Sequence, residues 1–283
     1  MRKIVLNPIG GLANRMRCIA SGLALAAQTG ADYDVVWAVN DELAARFDDI
    51  FLVPENLTGR IKYPSGLSYA LNYSIPRRRN MFVSALTLKR FSAVFLDAAS
   101  PFREMMKTSD TPLLATANFG VKNIYVQAGT IFHPFTQEFY RSLFRLNAEM
   151  QRRVEEKVKL LGKDYVGLHI RRTDNVMSIK HSPDSLFLSE IEKILQAVPG
   201  TKFYLATDSE ETKEKFKQTF GDETIICSPR PASRKSLAGI KDAVEELFTL
   251  ANASQIIGSF YSSFSEAASL LGSTPLRQLT INR

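Results

Sequence analysis

The 283-residue chain predicts an α/β protein of parallel sheets, arranged as two Rossmann-like halves facing a cleft. Short apolar runs bounded by turn residues alternate with longer stretches of helical spacing. The composition is ordinary globular, 45% apolar and 23% charged, which excludes a low-complexity or disordered chain. The length exceeds what one small core needs, so residues 1–145 and 146–283 are expected to form separate domains.

The N-terminal half opens with a strand at Lys3–Leu6, the turn NPIGGLANR, a helical stretch to Gly30 and a second strand at Tyr33–Val39. This is the start of a βαβ unit, which implies parallel pairing. From about residue 50 to 135 no element is assigned: aromatics are scattered, Pro54, Pro64, Pro76 and Pro101 interrupt the pattern, and Arg77-Arg78-Arg79 form a basic cluster. From Gln137 to Leu161, Phe139, Leu143, Leu146, Met150 and Val154 keep helical spacing, and the stretch predicts one long connecting helix. Alternation then becomes regular. Strands are expected at Tyr165–Ile170, Lys202–Ala206, Thr224–Cys227, Gln255–Gly258 and Leu276–Ile281. Helices are expected at Ser185–Ala197, Ser209–Phe220, Ser236–Ala253 and from Ser263.

A net charge of +7 suits an anionic ligand or surface without choosing one. Two distant cysteines, Cys18 and Cys227, exclude a disulfide scaffold and fit a reducing compartment. No run reaches membrane-span length and no signal peptide is evident, so a cytoplasmic protein is expected. The basic cluster reads as a solvated loop that could touch a membrane peripherally; no nucleic-acid partner is expected.

In open α/β sheets ligands bind beyond the carboxyl ends of the strands. Three segments lie there and should converge: HIRRTD at 169–174, ATD at 206–208 and GSFYSSF at 258–264. Strand alternation places His169 and Arg171 on one face, Leu168 and Ile170 on the other. Arg172 is expected in an ion pair with Asp174. Arg171 has no evident local partner, and its planar guanidinium suits a phosphate. His169 reads as a satisfied core histidine. Ser263 or Ser265 is expected to cap the following helix, whose amides could also hold an anion. GGLANR fails the dinucleotide fingerprint for want of a third glycine, and its glycine pair could simply shape a tight turn. The histidines at 133, 169 and 181 lack zinc spacing, and Asp32-Tyr33-Asp34 reads as a loop ahead of its strand rather than a metal site.

HIRRTDN, YLATDSEETKEKF and the segment from Glu246 through IIGSFYSSFSEAA resemble, in that order, the three motifs of the core α1,6- and nodulation fucosyltransferases. These share a superfamily with the α1,2- and protein O-fucosyltransferases. GGLANRM is similar to that superfamily's N-terminal motif. The resemblance covers both ends of the chain but not residues 50–135. It implies a GT-B fold and an inverting, metal-independent transfer from GDP-fucose to a glycan or glycolipid acceptor, with no cofactor. The C-terminal domain would hold the donor, and the N-terminal domain would form the acceptor side. Arg171 would bind the β-phosphate and stabilise the leaving diphosphate, with Arg172 assisting. Asp174 would hold the loop, and His169 and Asp208 would line the donor pocket. Glu246 would accept from the guanine edge. Ser262, Ser263 and Phe264 would contact the phosphates and flank the nucleotide, while Gly11 and Asn14 would approach the diphosphate from the N-terminal side. The core enzymes carry a glutamate after their first motif, which NVMSIKHSP lacks; His181 or Asp184 could serve as base, or none is needed. Two rivals stay open: a related transferase using another nucleotide sugar, and a nucleotide-binding protein without catalysis.

Overall fold

The computed structural model describes residues 2–73, 90–96, 122–173, 175–229 and 233–281. The Arg77–Arg79 cluster, Pro76, Pro101 and Asp174 lie outside the described residues. The chain divides into two units, Met1–Arg145 and Leu146–Arg283.

In the first unit, β1 (Lys3–Pro8) leads through the glycine turn into α1 (Leu12–Thr29), which stops at Gly30 in the left-handed conformation. β2 follows at Asp32–Val36, then β3 (Ile61–Lys62), α2 (Gly66–Asn72), β4 (Ala93–Leu96), β5 (Asn123–Ala128) and α3 (Gln137–Leu143). The sheet order is β3-β2-β1-β5-β4, and each pairing is parallel. The buried residues Ile4, Leu6, Val35, Val36, Ile124 and Val126 make the central strands nearly continuous apolar runs, as expected of a parallel sheet. Gly22 lets α1 lie close to the sheet, since a Cβ there would stand 2.3 Å from the Leu6 methyls. Two expectations fail in this unit. Asp32 and Asp34 lie inside β2 rather than in a loop, paired with Arg60 and with Lys3 respectively. And β2 ends at Val36, after which Trp37 turns into the core and donates to the Ala45 carbonyl at 2.8 Å.

The single helix expected at 137–161 is two helices. α3 ends at Leu143, and α4 (Ala148–Leu161) begins anew in the second unit. Asn147 caps α4, its Oδ1 accepting from the Met150 amide at 3.0 Å. Phe144 leaves the helix to pack against Phe47, Phe51 and Tyr140.

The second unit continues with β6 (Val166–Ile170), α5 (Val176–His181), α6 (Asp184–Ala197), β7 (Phe203–Thr207), α7 (Glu210–Phe220), β8 (Ile225–Cys227), α8 (Leu237–Ala251), β9 (Gln255–Ser259), α9 (Ser263–Gly272) and β10 (Leu276–Leu279). Its sheet is also parallel, in the order β10-β9-β6-β7-β8. Leu168, Ile170, Phe203, Leu205 and Ile225 meet Phe187 and Ile191 of α6 and Phe216 of α7 in one fully buried cluster. Gly167 admits α8 close to β6: a Cβ there would lie 2.9 Å from a Leu250 methyl. Among the described residues no helix is long and apolar enough to cross a membrane. Neither Cys18 nor Cys227 forms a disulfide.

Candidate functional site

The second sheet sets β9, β6 and β7 side by side, with His169 opposite both Ala206 and Gly258. The three segments picked out from sequence therefore leave the sheet together. Asp208, just past β7, ties two of them. Its Oδ1 accepts the Arg172 amide at 2.7 Å, and its Oδ2 accepts the Thr173 amide at 3.2 Å and the Thr173 hydroxyl. The third segment joins through Ser259, whose hydroxyl accepts the Arg171 amide at 3.1 Å. Burial works against ionisation of Asp208, but Thr173, Arg171 and the two amides outweigh it and hold the carboxyl below its ordinary range.

Arg171 does have a local partner, contrary to the sequence expectation. Its Nε lies 3.2 Å from Asp208 Oδ2, and its side chain is 21% exposed. Sequence spacing hid this pairing because the two residues are brought together only by strand order. Arg172 points the other way, as alternation requires, and its guanidinium is engaged by internal contacts. Its Nε donates to Asp184 at 2.7 Å, Nη1 to the Arg171 carbonyl and Nη2 to the Ser182 carbonyl, each at 2.8 Å, and the guanidinium covers the Phe187 ring. Among the described residues its carboxylate partner is Asp184; the expected partner, Asp174, lies outside them. Asp184 also accepts from Lys215 at 2.8 Å. Burial opposes its charge, yet the Lys215 and Arg172 hydrogen bonds keep its carboxyl below the ordinary range, which disfavours a role as base. His181, the other candidate base, ends α5 with its ring against Phe260.

His169 is buried, with its pKa pushed down to about 3 by burial and by the Arg171 charge. It is a neutral ring, 3.3 Å from the Ser262 hydroxyl through Nδ1 and facing Phe264 at 4.9 Å between centroids. Phe264 thus packs on His169. Neither Ser263 nor Ser265 caps α9: Ser262 occupies the cap position with no side-chain cap bond, and Ser265 donates back to the Ser262 carbonyl. Tyr261 just before it has φ +56 and is 69% exposed, its carbonyl held by Asn175 Nδ2 at 2.9 Å.

Glu246 lies on α8, 4% exposed, and its Oε1 has no hydrogen-bond partner among the described residues. Burial pushes its pKa up to about 8, against the pull of Lys213 and a hydrogen bond with Ser228. Lys213, 2% exposed, donates to the Ser228 carbonyl at 3.0 Å, and the Tyr204 and Ser228 hydroxyls are 3.1 Å apart. Sequence reasoning missed Lys213, because TKEKFK reads as a solvated helix face.

In the first unit, Gly10 takes φ +80 and Gly11 starts α1 without a side-chain cap. Asn14 Oδ1 accepts from Arg17 Nη2 at 2.8 Å, and the same nitrogen reaches the Gly129 carbonyl at 3.0 Å. Arg15, also missed, is fully buried. It donates to the carbonyls of Gly10 and Ala38 and to Asn40 Oδ1, and so bolts the turn to the segment after β2. No group of three or more His, Cys, Asp or Glu side chains able to hold a metal occurs among the described residues.

No protein-family model matches the sequence, and no curated protein matches it significantly. Solved structures do match. A NodZ α-1,6-fucosyltransferase soaked with GDP-fucose aligns over 98% of this chain and 94% of its own, at TM-score 0.64 and 15% identity. The fold is that of the fucosyltransferases. An Arabidopsis thaliana FUT1 variant in complex with GDP shares this fucosyltransferase fold at TM-score 0.64 and 14% identity, over 97% of this chain and 69% of that one. POFUT1 in complex with GDP follows at TM-score 0.54 and 12% identity, over 98% of each chain. The GT-B fucosyltransferase fold, with its two Rossmann-like halves, accounts for the two parallel five-stranded sheets.

Proposed function

We propose that the protein is an inverting glycosyltransferase that moves fucose from GDP-fucose to a glycan or glycolipid acceptor, without a metal ion or other cofactor. The observation that carries this reading is the Asp208 clamp. One carboxylate orders residues 171–173 and contacts the Arg171 guanidinium where three parallel strands end, beside the uncapped start of α9. A preset guanidinium and a helix N-terminus together suit a diphosphate. The GDP and GDP-fucose complexes of the structural neighbours support the choice of ligand. The orphaned Oε1 of Glu246 fits an acceptor for guanine N–H groups. Residues 146–283 would hold the donor and residues 1–145 would serve the acceptor.

As the C1–O bond breaks, negative charge grows on the β-phosphate and the sugar gains oxocarbenium character. Arg171 meets that charge in place of a divalent ion. The acceptor hydroxyl attacks the opposite face of C1, which inverts the centre, and its proton passes to solvent as GDP departs. An oxocarbenium-like state asks little of a base, which suits a site whose Asp184 is already paired twice. The protein would work on the cytoplasmic side, where its +7 charge favours an acceptor at an anionic membrane surface.

Arg171→Ala should leave the fold intact by circular dichroism and lower kcat by about 10²–10³, the loss typical of removing one donor to a developing oxyanion. Normal turnover in that variant rejects the assignment. Competition among GDP-fucose, GDP-mannose and UDP-sugars fixes the donor, and transfer that survives a chelator supports the metal-free scheme. A second reading, GDP binding without transfer, is favoured by the engagement of Asp184; tight GDP binding with no donor turnover would select it.

A further inference from the structure

A buried lysine and a buried glutamic acid meet one serine at the end of β8. Ser228 accepts from Lys213 Nζ through its carbonyl at 3.0 Å. Its hydroxyl pairs with Tyr204 Oη at 3.1 Å and hydrogen-bonds the Glu246 carboxyl. Lys213 is 2% exposed, an expensive position for an ammonium whose partners among the described residues are the Ser228 carbonyl and, at 3.5 Å, Glu210. Glu246 Oε1 is buried and has no partner among the described residues. A donor-poor carboxyl beside a buried cation is a half-made recognition site, completed by a ligand edge that offers two adjacent N–H groups.

We propose that Lys213 is a positioning residue for nucleotide capture, acting through Ser228 to set the charge state of Glu246, so that binding of the guanine edge expels one proton from that carboxyl. The inference rests on the GDP-sugar reading above. Guanine presents N1–H and N2–H side by side. An ionised carboxylate accepts both, one on each oxygen, whereas a protonated carboxyl sets its own O–H against a donor. Binding therefore selects the anion and the proton passes to solvent: carboxyl plus nucleotide gives the carboxylate complex and H⁺.

The surroundings favour a neutral carboxyl before the ligand arrives. On α8 itself, Asp242 and Glu245 oppose further negative charge; both are paired with Arg153, and Glu245 also with Lys157. From β7, Tyr204 contributes a phenol that burial keeps protonated, and from β8, Cys227 contributes a thiol whose pKa burial raises. From α7, Glu210 lies against Lys213. The cation that bears on Glu246 is Lys213, and it lowers a pKa that burial has pushed up to about 8. Nucleotide affinity should consequently rise with pH up to that range and flatten above it.

The test is calorimetric titration with GDP-fucose, whose diphosphate diester carries no proton near neutral pH, between pH 6 and 9.5 in phosphate and in Tris. The buffer dependence of the heat reads protons released. The expected result is about one proton released per nucleotide bound near pH 7, falling towards zero by the top of the range, with Kd improving up to about tenfold per pH unit below the midpoint. Lys213→Met should move that midpoint upward and Lys213→Arg should restore it, while Glu246→Gln should bind weakly and release no proton. GDP-fucose binding with a flat pH profile and no proton release overturns the proposal while leaving the GDP-sugar reading intact. Binding by Lys213→Met with the unaltered profile overturns it in the same way. Failure of GDP-fucose to bind at any pH rejects both.

Discussion

Asp208 fixes the geometry on which the proposed chemistry depends. It takes amides from Arg172 and Thr173, the Thr173 hydroxyl and the Arg171 Nε on two oxygens. Asp208→Asn keeps the shape but replaces one acceptor with an NH₂ that faces donors, and it removes the charge opposite Arg171. Steady-state kinetics should show kcat reduced about 10- to 100-fold, the scale of a lost charge-assisted contact. A kcat within about twofold of the parent would show that the clamp is dispensable. That ATD closes a buried strand was legible in the sequence, at the kind of position where ligands bind in such sheets. That it would hold Arg171 was not legible, because strand adjacency, not spacing, makes that contact. Lys213 was hidden for a related reason. Helical periodicity describes one helix against its own core, whereas Lys213 reaches the end of a neighbouring strand.

At the scale of elements, the glycine turn after β1 shows local and tertiary demands acting together. Gly10 has φ +80, and a Cβ there would stand 2.8 Å from Asn14 Nδ2. Gly10→Ala should cost about 1–3 kcal/mol, since the left-handed conformation and the contact both resist a side chain. Chemical denaturation measures this, and an unchanged midpoint would show that the turn relaxes freely. The strands of the second unit were readable to within about a residue or two because buried parallel strands are unbroken apolar runs. Elsewhere β3, α2, β4, β5 and α5 went unread. β3 has two residues and α2 has no fully buried side chain, so neither imposes a pattern. The helix expected at 137–161 was misread because Phe139, Leu143, Leu146, Met150 and Val154 stay in phase across the break. Asn147 was the available signal: a side-chain acceptor that starts a helix is a boundary even where hydrophobic spacing runs through it.

At the scale of the molecule, each unit has its own parallel sheet and its own buried core. The Asp208 clamp, the start of α9 and the Glu246 cluster all belong to Leu146–Arg283. A fragment spanning 146–283 should therefore fold with one cooperative transition and bind GDP within about tenfold of the intact chain's affinity, or about 1.4 kcal/mol. An unfolded fragment would show that the units are not independent, and a folded one that ignores GDP would move the nucleotide contacts elsewhere. The wider fold survives at 15% identity to its neighbours because alternation and strand order, not particular core residues, define it.

The second sheet is bordered by β8, three residues long, and β10, four residues long. Margins this short leave few backbone groups on which a stray strand could dock. The unit should accordingly resist edge-to-edge association when concentrated, even though its interior strands are as apolar as those that drive fibril growth when exposed.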